Sequence, residues 1–207
     1  TLDFAARIVA QGLSVTFNQQ VVVENRPGII GVDIVAKSAP DGYTLQLGSA
    51  AMWFAPFTQD ALGWDPVRDF TPITTVVRSP NVLVVQPALP ASSVKELIAL
   101  AQARPGKINY PSTSIGGSIH LAGELFQALA GIDIVRVPYK GEGAAVNALL
   151  AGDLQMMFST AGASMPLIKA GKVKALGVTS AEPFALIPGL PTVASAGVPG
   201  YEIVSII

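Results

Sequence analysis

Four times along this chain an apolar run ends in a small, polar, uncharged turn, and a helix-like pattern follows. The clearest case is Ile108-Asn109-Tyr110, then Pro111-Ser112-Thr113-Ser114-Ile115-Gly116-Gly117-Ser118, then a helical pattern over 120–129. The same succession takes Leu45-Gln46-Leu47 into Gly48-Ser49, Val135-Arg136-Val137 into Tyr139-Lys140-Gly141, and Met156-Met157-Phe158 into Ser159-Thr160. Strands alternating with helices imply βαβ units, right-handed crossovers and a mainly parallel sheet. In such sheets ligands lie beyond the carboxyl ends of the strands, where these turns fall. Each turn aims backbone N–H groups and hydroxyls at one point. It can hold an anion without a cationic side chain, because a helix N-terminus carries unpaired donors and partial positive charge.

Composition narrows the function. The 207 residues suffice for one large or two small domains. Only 13% are charged and the net charge is −1, so nothing draws nucleic acid or an anionic membrane from a distance. Every uncharged stretch is broken before it can span a bilayer, so direct membrane insertion is not expected. The lack of Cys excludes disulfides, thiolate catalysis and zinc–sulfur sites. A single His without Cys or an acidic cluster is poor ground for a metal, and no cofactor is expected. Gly141-Glu142-Gly143-Ala144-Ala145-Val146 loosely mimics a dinucleotide fingerprint but lacks the later acidic residue, so it reads as the start of a helix. No nucleophile elbow or phosphate loop occurs.

Along the chain, Thr1 is expected to cap a helix whose inner stripe is Ala5, Val9, Gly12 and Leu13, with a strand and loop expected before it. Strands are expected at 21–25, 43–47, 73–77, 82–85 and 173–178, and a helix at 30–38. Ser93 and Glu96 form a capping box ahead of the apolar face Val94, Leu97, Ile98 and Ala101. Shorter helices are expected at 144–151 and 163–170, and a Pro- and Gly-rich loop at 188–200. Chain crossings near 83–87 and 177–180 would divide the molecule into a first lobe of 1–84 plus 179–207 and an inserted second lobe of 85–178. The ligand cleft would lie between them and the crossings would be its hinge.

Several runs together resemble one family. Val21-Val22-Val23-Glu24-Asn25-Arg26-Pro27-Gly28, Asp41-Gly42-Tyr43-Thr44-Leu45, Val137-Pro138-Tyr139-Lys140-Gly141 and Leu190-Pro191-Thr192-Val193 resemble the Bug-type solute receptors of tripartite tricarboxylate transporters. So do Trp64-Asp65-Pro66 with Asp69-Phe70, Gly177-Val178-Thr179-Ser180, and Gly197-Val198-Pro199-Gly200-Tyr201. The resemblance covers essentially the whole chain, with the motifs in the same order. It implies a type II periplasmic-binding-protein fold: α/β, two lobes, each a mainly parallel sheet flanked by helices. It also implies a monomer in the periplasm, its signal peptide removed. Such a receptor captures a small mono- or dicarboxylate and hands it to the membrane permease subunits without catalysis. In that family the first lobe opens with a strand and a Gly-rich loop leading to a Thr-Asp-like pair, which Thr1 and Asp3 match with Leu2 inserted. A final strand and helix would follow Ile207.

The candidate ligand-binding residues follow from the turns and from this resemblance. Thr113, Ser114, Gly117 and Ser118 are the carboxylate donors, and Ser118 is also expected to cap its helix. His120 either donates to the bound carboxylate or bonds a neighbouring backbone group to fix the loop. Ser49, Ser159 and Thr160 complete the polar lining or form ordinary turns. Trp53 and Phe54 wall the cleft or pack in the core. Asp3 accepts a hydrogen bond from the far end of the ligand, or complements its own helix dipole. Lys140 reads as structural or solvated. The competing class is an enzyme or effector-binding sensor using the same fold on a small organic acid, which turnover of a bound acid would reveal.

Overall fold

The computed structural model of the protein describes residues 2–26 and 29–207. The chain divides into one unit of Thr1–Arg78 with Ile206–Ile207 and another of Ser79–Ser205.

The first unit begins with helix α1, Leu2–Phe17, followed by α2, Ile30–Ala36, and α3, Ala50–Phe54, which runs into a 3₁₀ turn at Ala55–Phe57. Its core is small: Val32, Met52, Ala55 and Trp64 are buried, and Phe70 meets Trp64 edge-on at 5.9 Å. On α1, Ala5 and Ala10 are buried, Val9 and Leu13 are half-buried, and Gly12 is exposed. Segments 21–25, 43–47 and 73–77, expected as strands, form no strand here. β-Branched residues favour extended backbone, but a strand exists only where a neighbour accepts its N–H and C=O groups. Among the described residues the nearest approach to a ladder here is Val76 and Val77 N–H donating to Ile207 O (2.6 and 3.0 Å), with Ile207 N–H donating to Val77 O (2.9 Å).

The second unit carries the alternating pattern. Strand β1, Arg78–Val85, leads to helix α4, Val94–Ala103, then β2, Asn109–Ser112, and α5, Ser118–Ala130. Strand β3, Val135–Pro138, leads to α6, Glu142–Ala151; β4, Met156–Thr160, leads to α7, Ala161–Lys169; β5, Lys174–Val178, and β6, Val204–Ile206, close the series. Local chemistry sets the ends. Ser93 Oγ accepts from Glu96 N–H (3.2 Å), and Glu96 Oε2 accepts in return from Ser92 N–H (2.6 Å). Gly131 ends α5 in the left-handed conformation at φ +60°, which costs glycine little.

Strands β2 and β3 are parallel, and β4 and β5 share a direction, but β1 lies between β4 and β5 and runs against both. Strand β4 adjoins β2, since Gln155 N–H donates to Asn109 O (3.2 Å) and Asn109 N–H to Gln155 Oε1 (2.9 Å). Helices cover both faces. Leu83 and Val85 pack toward Leu97, Phe126 and Phe158, while Val82 and Val84 pack toward Leu149, Leu154 and Met157. Burial on both faces is why β1 reads as an unbroken apolar run. Each such side chain contributes about 1.5–3 kcal/mol of burial.

The tail packs on this same unit. Tyr201 meets Phe126 and Phe158 at 6.1 and 6.2 Å between ring centres, and its hydroxyl donates to Ala122 O (3.0 Å). Val193 N–H bonds Val178 O (2.8 Å), and Ile203 N–H bonds Thr179 O (2.8 Å). Residues 79–84 and 179–205 therefore pack with the sheet of the second unit in this division of the chain.

Candidate functional site: the strand-end turns

The turn between β2 and α5 is built by sterics. Gly116 adopts φ +74°, and a Cβ on Gly117 would lie 2.5 Å from Ser114 Oγ. Gly117 is the N-cap and offers no side chain, so the first-turn N–H groups of α5 have neither an intrahelical nor a capping acceptor. Ser118 is the first helical residue rather than the cap expected from sequence, because the chain turns helical one residue earlier. Its hydroxyl instead lies 2.8 Å from Ser205 Oγ, which is 3.4 Å from Asn81 Oδ1. Thr113 and Ser114 are exposed; Gly117 and Ser118 are half-buried.

His120 supports this turn from inside the helix. Its Nδ1 accepts from Gly116 N–H (3.1 Å), and its Nε2 lies 3.5 Å from Glu124 Oε1. Burial holds its pKa below the usual imidazole value, opposed by Glu124 and reinforced by Arg136. Glu124 also accepts from Tyr110 OH (2.7 Å), whose pKa burial and then Glu124 push upward. Tyr110 in turn needs Gly123: a Cβ there would sit 2.2 Å from the Tyr110 ring.

The turn between β4 and α7 has the same chemistry and a different outcome. Glu142 Oε1 accepts from Thr160 N–H (2.7 Å) and Ser159 Oγ (3.1 Å), and Glu142 Oε2 from Thr160 Oγ1 (3.0 Å). Thr160 also caps α7, accepting from Ala163 N–H at 3.4 Å. The donors of Ser159 and Thr160 thus serve a carboxylate of the chain itself.

In the first unit, Ser49 is the N-cap of α3 but makes no side-chain capping bond. Trp53 is 46% exposed and Phe54 is exposed beside Phe57, so neither packs in the core. Asp3 is bound by Arg7 Nε (3.0 and 3.1 Å) and Asn25 Nδ2 (2.6 Å), and these bonds, Arg7 first, lower its pKa. Thr1 lies outside the described residues.

Three residues escaped the sequence reading. Arg136 Nη1 donates to Ser112 Oγ (3.0 Å), bringing a half-buried cation to the base of the β2–α5 turn. Asn81 is 1% exposed, and its Nδ2 has no partner among the described residues. Its register opposite Thr160 puts it at the same sheet edge. An Asn leading into Val82-Leu83-Val84-Val85 was the available signal, since Asn is depleted in strands. Glu142 was visible only as an acidic residue at a helix start. Among the described residues no group of three His, Asp or Glu is placed to hold a metal. Among the described residues no helix is long and apolar enough to cross a membrane.

Uncharged donors at a helix N-terminus on an α/β frame are chemically suited to holding a small anion. The family model for the tripartite tricarboxylate transporter family receptor matches residues 5–207, and the chain belongs to that family. BugT of Bordetella pertussis is 37% identical over 96% of this chain and 63% of its own length. Among solved structures, Rpa4515 of R. palustris with adipate is 37% identical, with a TM-score of 0.88 over 99% of this chain and 70% of that one. MatC of Rhodopseudomonas palustris with bound malate is 27% identical, with a TM-score of 0.89 over 100% of this chain and 71% of that one. The fold is therefore that of the periplasmic solute-binding proteins. The chain spans about three fifths of the length of the curated relatives it matches.

Proposed function

We propose that this protein is an extracytoplasmic receptor that captures a small carboxylate and delivers it to the permease of a tripartite transporter. The observation that carries the reading is the uncapped N-terminus of α5, set at the end of β2 with Arg136 behind Ser112. Backbone donors, the Ser114 and Ser118 hydroxyls and a nearby guanidinium replace the water shell of one carboxylate. Thr113 and Gly117 shape the turn, and His120 holds it. Ser49, Trp53, Asp3 and Thr1 belong to the proposal as ligand residues on the family resemblance alone. The lobe limits read from sequence, a monomeric state, a periplasmic location and a removed signal peptide belong to the same proposal. Membership of a receptor family and the adipate and malate bound to related proteins support it over an enzyme.

Calorimetry of the full-length protein against mono-, di- and tricarboxylates tests the reading. At least one acid should bind, and Ser118→Ala should weaken it about tenfold, the usual cost of one hydrogen bond to a charged group. Failure of every acid overturns the proposal.

A further inference from the structure

One carboxylate serves two helix starts at the edge of the second unit. Glu142 is the first residue of α6, where its charge complements that helix's own dipole. Its oxygens reach across to Thr160 N–H, Thr160 Oγ1 and Ser159 Oγ at the head of α7. Helices α6 and α7 therefore both begin beside a negative charge supplied from within, while α5 begins beside none. Strands β2 and β4 adjoin at their starts, where Gln155 N–H donates to Asn109 O and Asn109 N–H to Gln155 Oε1. The α5 and α7 turns are linked through Ser205, whose hydroxyl lies 2.8 Å from Ser118 Oγ and 3.4 Å from Asn81 Oδ1, and through Asn81, which pairs opposite Thr160.

We propose that Glu142 is a specificity-determining residue that limits the ligand to a single carboxylate at this edge. It fills the anion position of the β4–α7 turn, so the β2–α5 turn takes the one carboxylate that this unit binds. A second carboxylate held a few atoms away meets the charge of Glu142, which already takes the Thr160 and Ser159 donors of its turn. Monocarboxylates bind, and extended diacids bind by one end with the other directed away. Compact di- and tricarboxylates are disfavoured. This inference rests on the receptor reading above.

Glu142→Gln is close to isosteric. Its carbonyl oxygen still accepts from Thr160 N–H and Ser159 Oγ, and its amide can donate to Thr160 Oγ1, so the turn is kept while the charge is removed. Titration calorimetry with butyrate, succinate and citrate, on the full-length protein and on the variant, supplies the test. The substitution should raise affinity for succinate and citrate about tenfold relative to its effect on butyrate, the scale expected for two partly screened charges. In the unsubstituted protein, the preference for butyrate over succinate should shrink several-fold between low and high ionic strength. An unchanged preference in both measurements, or a fall in succinate and citrate affinity on substitution, overturns the inference. If the unsubstituted protein binds no carboxylate in this or the wider panel, the receptor reading itself fails, which is a distinct result.

Discussion

The β2–α5 and β4–α7 turns are built from the same materials: a strand end, two hydroxyl residues and a helix N-terminus. At β4–α7 the strand runs directly into the helix, Thr160 provides the cap, and Glu142 closes the remaining donors into one network. At β2–α5 five residues intervene, the cap is a glycine, and Thr113 and Ser114 are exposed. The β4–α7 turn has its donors filled by a side chain of the protein, and the β2–α5 turn does not. Residue composition tells where donors are; whether they are free depends on which distant side chain folds back onto them.

The largest effect expected from breaking this comparison comes from Gly123. Alanine there gains up to about 1 kcal/mol of helix propensity. Its Cβ, however, would lie 2.2–2.4 Å from the buried Tyr110 ring, which cannot swing aside as a flexible chain end would. Overpacking of this kind costs about 3 kcal/mol. It should also lift α5 away from β2, so Gly123→Ala should lower both thermal stability and ligand affinity. A stable variant with undiminished affinity would mean that the β2–α5 turn does not depend on how α5 is seated.

A matched pair of hydroxyl deletions sharpens the contrast further. Thr160→Ala removes a helix cap and one bond to Glu142, and should cost about 1–2 kcal/mol in denaturant unfolding with ligand affinity changed less than threefold. Ser118→Ala should do the reverse, lowering stability by no more than about 1 kcal/mol while weakening the ligand about tenfold. If the two variants behave alike in both assays, the distinction between a filled turn and an open one is lost.

This contrast also marks what the sequence discloses and what it hides. The repeating pattern of 94–178 was readable because every signal in it is local: the Ser93–Glu96 box, the Gly131 stop, the apolar runs of β2 to β5. Glu142 was not, because its partners lie 17 and 18 residues away and its own position looked like ordinary helix-start chemistry. The reversal of β1 was equally hidden, since a strand buried on both faces has no alternation from which direction or pairing can be inferred. Segments 21–25 and 43–47 show the opposite failure: strong local propensity, without a neighbouring strand among the described residues to realise it. Ser114 and Ser118 were legible as members of the β2–α5 turn, but the link from Ser118 to Ser205 and Asn81 joins residues far apart in sequence.

The smallest effect concerns how the open turn is held. His120 Nδ1 can accept from Gly116 N–H only while the imidazole is neutral, so protonation breaks that bond. Burial places the folded-state pKa of His120 below the unfolded value near 6.5, despite the opposing pull of Glu124. The unfolded chain therefore binds this proton more readily. The stabilisation is complete above about pH 6.5 and is lost as pH falls toward the lower folded value. Over the same window ligand affinity should decline, because Gly116 is released next to the donors of α5. His120→Asn keeps an acceptor near the Nδ1 position and removes the titration. Urea melts and calorimetry between pH 7 and 5 should therefore give a shallower decline for the variant than for the parent protein, and the difference between them isolates His120 from the carboxylates that titrate in both. Superimposable profiles would show that Gly116 finds another acceptor. The β2–α5 turn would then be held by its glycines alone, whereas a side chain from another helix holds β4–α7.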